Sequence, residues 1–263
     1  MAGIFWTEFA ALFAVALIGG VAVMPYALKL VKDSSQRRPL KMAPSKLIAL
    51  SVLQTALLSG VAVAVGLLAG RPLGLGAPYL EATLMGINVS GVGQMLTLAS
   101  VTGALAGLTL LVADVWFLPY WPQALVEASH RTTLADTLLA SMYGGIDEEI
   151  FMRLFGLSVV AWLLSLVWHT PAGLPPAAVL WSANIFMTIV FGLGHLPALK
   201  GLVGAVSPLM VMRSLLLNAP VGLLCGWLYW TYGIEAAMLA HFSTDIVYHV
   251  FGTIVLNRRR PLS

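Results

Sequence analysis

Long runs of residues without any charged side chain dominate this sequence. Phe9–Leu28, Leu47–Gly70 and a stretch inside Ala82–Ala113 are the clearest of them, and a helix needs about 20 mostly apolar residues to cross a membrane. Charged residues make up 10% of the 263-residue chain, whereas a soluble protein has about a quarter. The chain is therefore not a water-soluble globular protein, and we predict an all-α, polytopic transmembrane bundle.

Four further apolar segments bring the predicted number of membrane spans to seven. They are about Leu138–Trp168, a segment that ends near His195, one that ends near Gly233, and Ala236–Leu256. The sixth span could be broken into two pieces that each cross the membrane, by Pro208, Arg213 and Pro220, which would give eight spans.

The positions of lysine and arginine predict the orientation. Six of these residues lie between Lys29 and Lys46, and Arg258–Arg260 lie near the C-terminus. Because basic loops stay on the cytoplasmic side, we expect the first loop (32–46) and the C-terminus there, which an odd number of spans permits. The chain is then a multi-pass protein of the lipid bilayer, in the plasma membrane if it is bacterial. This topology accounts for the net charge of +3, so we expect no nucleic-acid partner.

Clusters of ionisable residues occur inside two of the predicted spans. Such a residue costs several kcal/mol unless it is paired or faces a water-filled cavity, so it indicates a functional site. On a helix, Glu149 and Arg153 share a face and can pair, whereas Glu148 points about 100° away and is left for chemistry. The fourth span contains Asp147, Glu148, Glu149 and Arg153, and the seventh contains His241, Asp245 and His249 at every fourth position.

Other polar, aromatic and small residues are expected to have structural roles. Asp114, near the end of the third span, is expected at the membrane interface, and Tyr248 among the packing and belt aromatics. Cys225, the only cysteine, cannot form an intramolecular disulfide and is expected to pack as a small apolar residue. Gly222 and Gly226 form a small-xxx-small pair that favours close helix packing.

Three short motifs connect the ionisable residues. Glu148–Arg153 matches EExxxR, Phe191–His195 matches FxxxH, and His241–Asp245 matches HxxxN/D. In this order on successive apolar segments, they resemble the CAAX-protease and bacteriocin-processing (CPBP) family of intramembrane endopeptidases. The resemblance covers about Gly144–His249. It implies a polytopic helical protease that acts on peptides or membrane proteins; eukaryotic members remove the last three residues of prenylated CAAX proteins.

The resemblance also implies a role for each motif residue. Glu148 and His195 would activate water, His241 and Asp245 would stabilise the oxyanion or bind a metal, and Glu149 and Arg153 would support the site. Peptide hydrolysis independently requires a base near the water and a donor near the developing oxyanion. On this basis residues 1–263 form a single integral membrane domain, with scaffold spans in 1–133 and catalytic helices in 134–256.

The charge of the site bears on whether a metal takes part. Asp245 stands where many family members have Asn, and an ionised Asp cannot donate a hydrogen bond to an oxyanion. Four acids (Asp147, Glu148, Glu149 and Asp245) against one Arg153 give a formal charge of about −3, which a low-dielectric site does not tolerate. Either carboxyls are protonated or a divalent cation is bound. We favour the cation, Zn²⁺, with Glu148, His195, His241 and Asp245 as ligands.

The depth of His195 conflicts with this assignment. Glu148 and His241 can share one level in the membrane, but His195 lies too close to the end of its helix. It reaches their level only if that helix starts later than Ala177 or continues beyond Pro197.

Two other functions are compatible with buried ionisable residues. A secondary transporter or proton relay predicts an inverted repeat in the first half of the chain, and the sequence contains no such repeat. A non-proteolytic membrane scaffold would not need the complete set of motif acids and imidazoles. The sequence also lacks the HExxH motif of zinc metalloproteases.

Overall fold

The computed structural model describes residues 2–35, 43–171 and 173–252, and every regular element in these ranges is helical. Between the α-helices, short 3-10 helices cover Arg71–Leu73 and Leu118–Tyr120. The π-helical segments are π1 (Gly144–Glu148), π2 (Ile150–Leu157) and π3 (Ile246–Phe251). The α-helices are α1 (Ala2–Ala22), α2 (Met24–Ser35), α3 (Pro44–Gly70), α4 (Pro78–Leu84), α5 (Val92–Phe117), α6 (Gln123–Arg131), α7 (Leu134–Tyr143), α8 (Ser158–Ser165), α9 (Ala177–Gly194), α10 (Leu196–Val203), α11 (Pro208–Tyr232) and α12 (Ile234–Asp245).

Within residues 2–35, 43–171 and 173–252, five helical stretches are long and apolar enough to cross a membrane, which confirms the prediction of an all-α, polytopic protein. They correspond to the first, second, third, fifth and sixth predicted spans: Gly3–Lys29, Ser45–Leu73, Val92–Tyr120, Ala177–Val203 and Pro208–Tyr232. The fourth predicted span and the described part of the seventh, up to residue 252, are helical as well, but each is a composite that contains charged residues. The fourth is α7–π1–π2–α8 and the seventh is α12–π3.

The two uncertain helix boundaries are both resolved. α11 begins at Pro208, directly after the N-cap residue Ser207, whose side chain accepts a hydrogen bond from the Met210 amide, and it continues through Pro220 to Tyr232. The sixth predicted span is therefore one helix and not two. α9 ends beside His195, but α10 follows at once, so the helical chain continues beyond Pro197 and His195 can lie at the level of Glu148.

Small residues let the helices around the site pack closely. Gly222 lies against Thr188 and Gly226 against Asn184, and a Cβ at either glycine would overlap that side chain. The predicted close packing of this pair is confirmed. Cys225, between the two glycines, is fully buried in the apolar core, as predicted.

The basic segments that predict the orientation lie mostly outside the described residues. Residues 36–42 and 253–263 are not described, so the placement of the first loop and of Arg258–Arg260 stays a prediction.

Candidate active site

The acidic motif lies in an unusually wide part of its helix. Residues on both sides of Glu149 are π-helical, with hydrogen bonds from residue i+5 to residue i. π-helical turns are rare and often occur at functional sites. Two glycines at the start of π1 bring α12 close to it: a Cβ on Gly144 would lie 2.6 Å from Asp245 Oδ2 and 3.3 Å from His241 Nε2. Gly144 therefore leaves the space that Asp245 and His241 occupy.

Glu148 lies between the two motif histidines. Its Oε1 is 3.9 Å from His195 Nε2, and its Oε2 is 3.7 Å from His241 Nε2. On the other side of His241, Asp245 Oδ1 is also 3.7 Å from Nε2. These separations are too long for direct hydrogen bonds and leave room for an atom that contacts both partners. The structure thus brings the four predicted catalytic residues into one cluster.

Both histidines have their Nδ1 atom occupied. His195 Nδ1 donates to the Phe191 carbonyl oxygen at 2.8 Å, because a carbonyl can only accept. His241 Nδ1 donates to Glu149 Oε1 at 2.5 Å. In each ring the acceptor bound to Nδ1 fixes the orientation of the imidazole. The other nitrogen, Nε2, therefore faces the cluster.

Glu149 and Arg153 form the predicted pair. Arg153 Nη1 donates to Glu149 Oε1 at 2.7 Å, and the two side chains are 2% and 0% exposed. Arg153 Nη2 also donates to the Gly222 carbonyl oxygen at 3.0 Å, which ties the motif helix to α11. The pair thus contacts His241 on its Nδ1 side, opposite the Nε2 atom that faces Glu148 and Asp245.

Phe191, the first residue of the FxxxH motif, packs against three of these residues. Its ring meets the His195 ring edge-on at 4.9 Å and the His241 ring at 5.7 Å. The Arg153 guanidinium lies 5.2 Å from its centroid. One buried aromatic ring thus spaces the two imidazoles and covers the buried cation.

Exposure decreases from His195 inwards. The His195 side chain is 42% exposed, Glu148 24%, Asp245 15% and His241 4%. The cluster is therefore open beside His195, at the junction of α9 and α10, and closed at Glu149.

The predicted metal ligands have the right chemistry, but the structure does not gather all four around one point. Two imidazoles with Nδ1 bound to oxygen acceptors and two carboxylates are typical ligands of a divalent cation. The short distances among these four residues join only the pairs Glu148–His195, Glu148–His241 and His241–Asp245. Among the described residues, the group of three potential ligands whose atoms all lie within 4.8 Å of one another is Glu149, Cys225 and His241.

That compact group is poorly suited to a cation. Its Glu149 oxygen already accepts from Arg153 and His241, and the fixed positive charge of Arg153 would repel an ion. All three residues are buried, so water and substrate have no access to an ion there.

Two features of the structure were not anticipated from the sequence. Asp114, predicted at the interface, is fully buried because Arg213 binds both of its oxygens at 2.7 Å. Tyr248, predicted as a packing aromatic, donates to Asp114 Oδ2 at 2.6 Å. Only the unexplained charge of Arg213 inside a predicted span could have indicated this cluster.

Asp147 points away from the cluster. It is fully buried against α1, where Gly19 and Gly20 leave space for its carboxyl. Neither of its oxygens has a hydrogen-bond partner among the described residues. The three consecutive acids of the motif segment therefore face three different surroundings.

Comparison with known proteins agrees with the motifs. The model of a family described as Type II CAAX prenyl endopeptidase Rce1-like matches residues 130–247, which contain all three motifs. The predicted family resemblance is confirmed, and the match indicates a membrane-embedded protease. No curated protein matches the chain, and no solved structure matches it.

Proposed function

We propose that this chain, with its Rce1-like segment at residues 130–247, is an intramembrane endopeptidase whose water is activated by Glu148 and His195. The placement of the Glu148 carboxylate between two Nε2 atoms, at 3.9 and 3.7 Å, supports this proposal most directly. Polar atoms too far apart for a direct hydrogen bond can be bridged by a water molecule.

Water activation follows from two acceptors on the same side of the cluster. Neutral His195 has its proton on Nδ1, so Nε2 presents a lone pair next to Glu148 Oε1. A water molecule between them donates one hydrogen to each, and its oxygen lone pair then faces the substrate carbonyl. When the water oxygen bonds to the carbonyl carbon, Glu148 takes its proton and later passes that proton to the leaving amine as the C–N bond breaks.

His241 is placed to stabilise the oxyanion. In the proposed mechanism it is an imidazolium that donates Nδ1–H to Glu149 and Nε2–H to the oxyanion. The carboxylates of Glu148 and Asp245, each 3.7 Å from Nε2, stabilise this positive charge. Glu149 is in turn neutralised by Arg153. A divalent cation held by Glu148, His195, His241 and Asp245 would add Lewis-acid charge at the same position.

The substrate is a peptide segment that reaches the opening beside His195. We propose peptides near the C-terminus of membrane-anchored proteins, prenylated CAAX-type sequences included, because the matched family is described as a CAAX prenyl endopeptidase family. The apolar surfaces of the surrounding helices, such as Phe186 and Leu193 of α9 at 54% and 43% exposure, suit a lipid-modified chain.

The activity can be tested with purified protein in lipid nanodiscs. Prenylated and unprenylated CAAX-type peptides are incubated with it, and products are identified by mass spectrometry. Glu148→Gln should lower the cleavage rate by about 10²–10⁴-fold, since the amide cannot accept the proton. Asp147→Asn is the matched control, because this neighbouring acid faces α1 and should leave most of the activity. A Glu148→Gln variant that cleaves like the parent would refute the assignment of the base.

The topology stays a proposal, with the first loop and the C-terminus in the cytoplasm. Ser35→Cys and Ser263→Cys, each in a variant that lacks Cys225, should react with an impermeant thiol reagent from the same side of the membrane. Ser90→Cys, near the predicted outer end of the third span, should react from the opposite side. Labelling of Ser35→Cys and Ser263→Cys from opposite sides would contradict an odd number of spans.

A further inference from the structure

The helix that carries His241 and Asp245 rests on α5 along its length. The Thr244 hydroxyl donates to the Gly103 carbonyl oxygen of α5 at 2.9 Å. A Cβ on Gly107 would lie 2.6 Å from the Thr244 carbonyl oxygen, so the backbones of α5 and α12 are in close contact there. α5 lies outside the matched segment 130–247. It nevertheless packs against α12, the helix that carries the motif residues His241 and Asp245.

A network of charged hydrogen bonds closes this contact at one end. Arg213 of α11 binds Asp114 of α5 through Nε and Nη2, both at 2.7 Å. Tyr248 of π3 donates to the same carboxylate at 2.6 Å, and the Arg213 guanidinium stacks 5.0 Å above the Trp121 ring. Bidentate and charge-assisted hydrogen bonds are the strongest of their class, so three helices are fixed to one another at this point.

Tyr248 comes three residues after Asp245 and is about one turn away from it. Whatever fixes the Tyr248 hydroxyl therefore restricts both the rotation of π3 and the direction of the Asp245 side chain. The distances inside the cluster are short, since Glu148 Oε2 and Asp245 Oδ1 each lie 3.7 Å from His241 Nε2. A displacement of about 1 Å can cost a factor of 10² in rate.

We propose that Asp114, Arg213 and Tyr248 form a positioning network that holds π3 and α12 against α5 and thereby sets the position of Asp245 and His241. Tyr248 acts through these two residues and does not contact the substrate. The inference rests on the proposed protease function for its kinetic readout, but the mechanical link can be measured without it.

Tyr248→Phe is the direct test, because it removes one hydroxyl and keeps the ring. Its kcat should fall about 10-fold while KM stays within about twofold, since binding surfaces are unchanged and only catalytic groups shift. Amide hydrogen exchange over residues 241–251 should become faster, because the segment loses its tether.

Tyr229→Phe is the matched control. The Tyr229 hydroxyl makes a buried 2.7 Å hydrogen bond with Ser158, between α11 and α8. Its loss should lower stability to a similar degree but leave kcat and the exchange of residues 241–251 unchanged. Arg213→Lys, which keeps the charge and loses the bidentate geometry, should give an effect in the same direction as Tyr248→Phe.

The outcomes separate this inference from the protease assignment. If Glu148→Gln is inactive and Tyr248→Phe behaves like Tyr229→Phe in both kinetics and exchange, the positioning network is refuted and the protease is not. If no variant shows protease activity, faster exchange at 241–251 in Tyr248→Phe alone supports the network, and unchanged exchange refutes it.

Discussion

Removing the charge of Glu149 alone should destabilise the protein far more than removing it together with Arg153. The Arg153 and Glu149 side chains are 2% and 0% exposed and lie 2.7 Å apart, so the lone partner would remain as an unpaired buried charge. Breaking a buried ion pair on one side costs about 3–5 kcal/mol. Replacing both members by well-packed hydrophobic residues of similar size is often nearly neutral, and a Gln with a Met likewise leaves no unpaired buried charge. We therefore expect Glu149→Gln to lose about 3–5 kcal/mol, and Glu149→Gln with Arg153→Met to lose much less.

The chain contains a matched control for this experiment. Glu127 and Arg131 of α6 have the same residue types at the same spacing, but their side chains are each 46% exposed and the N–O distance is 3.5 Å. Exposed pairs of this kind are worth about 0–1 kcal/mol, so Glu127→Gln should be almost silent. Unfolding by sodium dodecyl sulfate in mixed micelles, followed by tryptophan fluorescence, gives the free energy of each variant.

The reasoning fails if Glu149→Gln loses no more stability than Glu127→Gln. It also fails if the loss of stability in the double variant equals the sum of the losses in Glu149→Gln and Arg153→Met. The coupling energy is then zero, which means that the pair does not interact. Restoration of stability in the double variant without restoration of activity is the expected pattern, since the acceptor of His241 Nδ1–H is then a neutral amide oxygen and no longer a carboxylate.

Three further predictions concern the cluster itself. Gly144→Ala should reduce activity strongly with little change in substrate binding, because the added Cβ would lie 2.6 Å from Asp245 Oδ2; kcat and KM measured separately would check this, with the open-sided Gly201→Ala as control. Asp245→Asn should weaken divalent-metal affinity by about 10–100-fold if Asp245 is a ligand; calorimetry with Zn²⁺ measures this, and an Asn variant at least as active as the parent, insensitive to chelators, would contradict a metal role. Phe191→Leu should lower kcat by loosening the spacing of the two imidazoles, and Phe191→Tyr should retain more activity than Phe191→Leu; equal activity of the two variants would argue against the ring as a spacer.

The sequence was sufficient for the features that depend on hydropathy and short spacing. The long uncharged runs predicted the apolar helices, and the i, i+4 spacing of Glu149 and Arg153 predicted their ion pair. That pair forms even though the surrounding segment is π-helical, because the contact tolerates a modest change in helical pitch. The motif order predicted a resemblance to the family, and the match over residues 130–247 confirms that resemblance.

Features that depend on contacts between distant segments could not be predicted. The π-helical geometry around Glu149 occurs where α12 packs against Gly144, and no local pattern in the sequence shows this contact. Asp114 looked interfacial because its partner Arg213 lies 99 positions later. The preference for a metal depends on a count of charges, and a count does not show which residue each acid contacts. In the structure Asp147 faces α1 and Glu149 is paired with Arg153.

The glycines that bring α1 and α5 against the motif helices also limit how this protein can be rearranged. Gly19 and Gly20 make room for Asp147, and Gly103 and Gly107 admit the backbone of α12. A chimaera that joins residues 134–256 to the N-terminal helices of another protein would have to keep small residues at these four places. The motif-bearing half is therefore not a portable module, and recombination at the boundary near residue 133 would separate the catalytic groups from the surfaces that hold them.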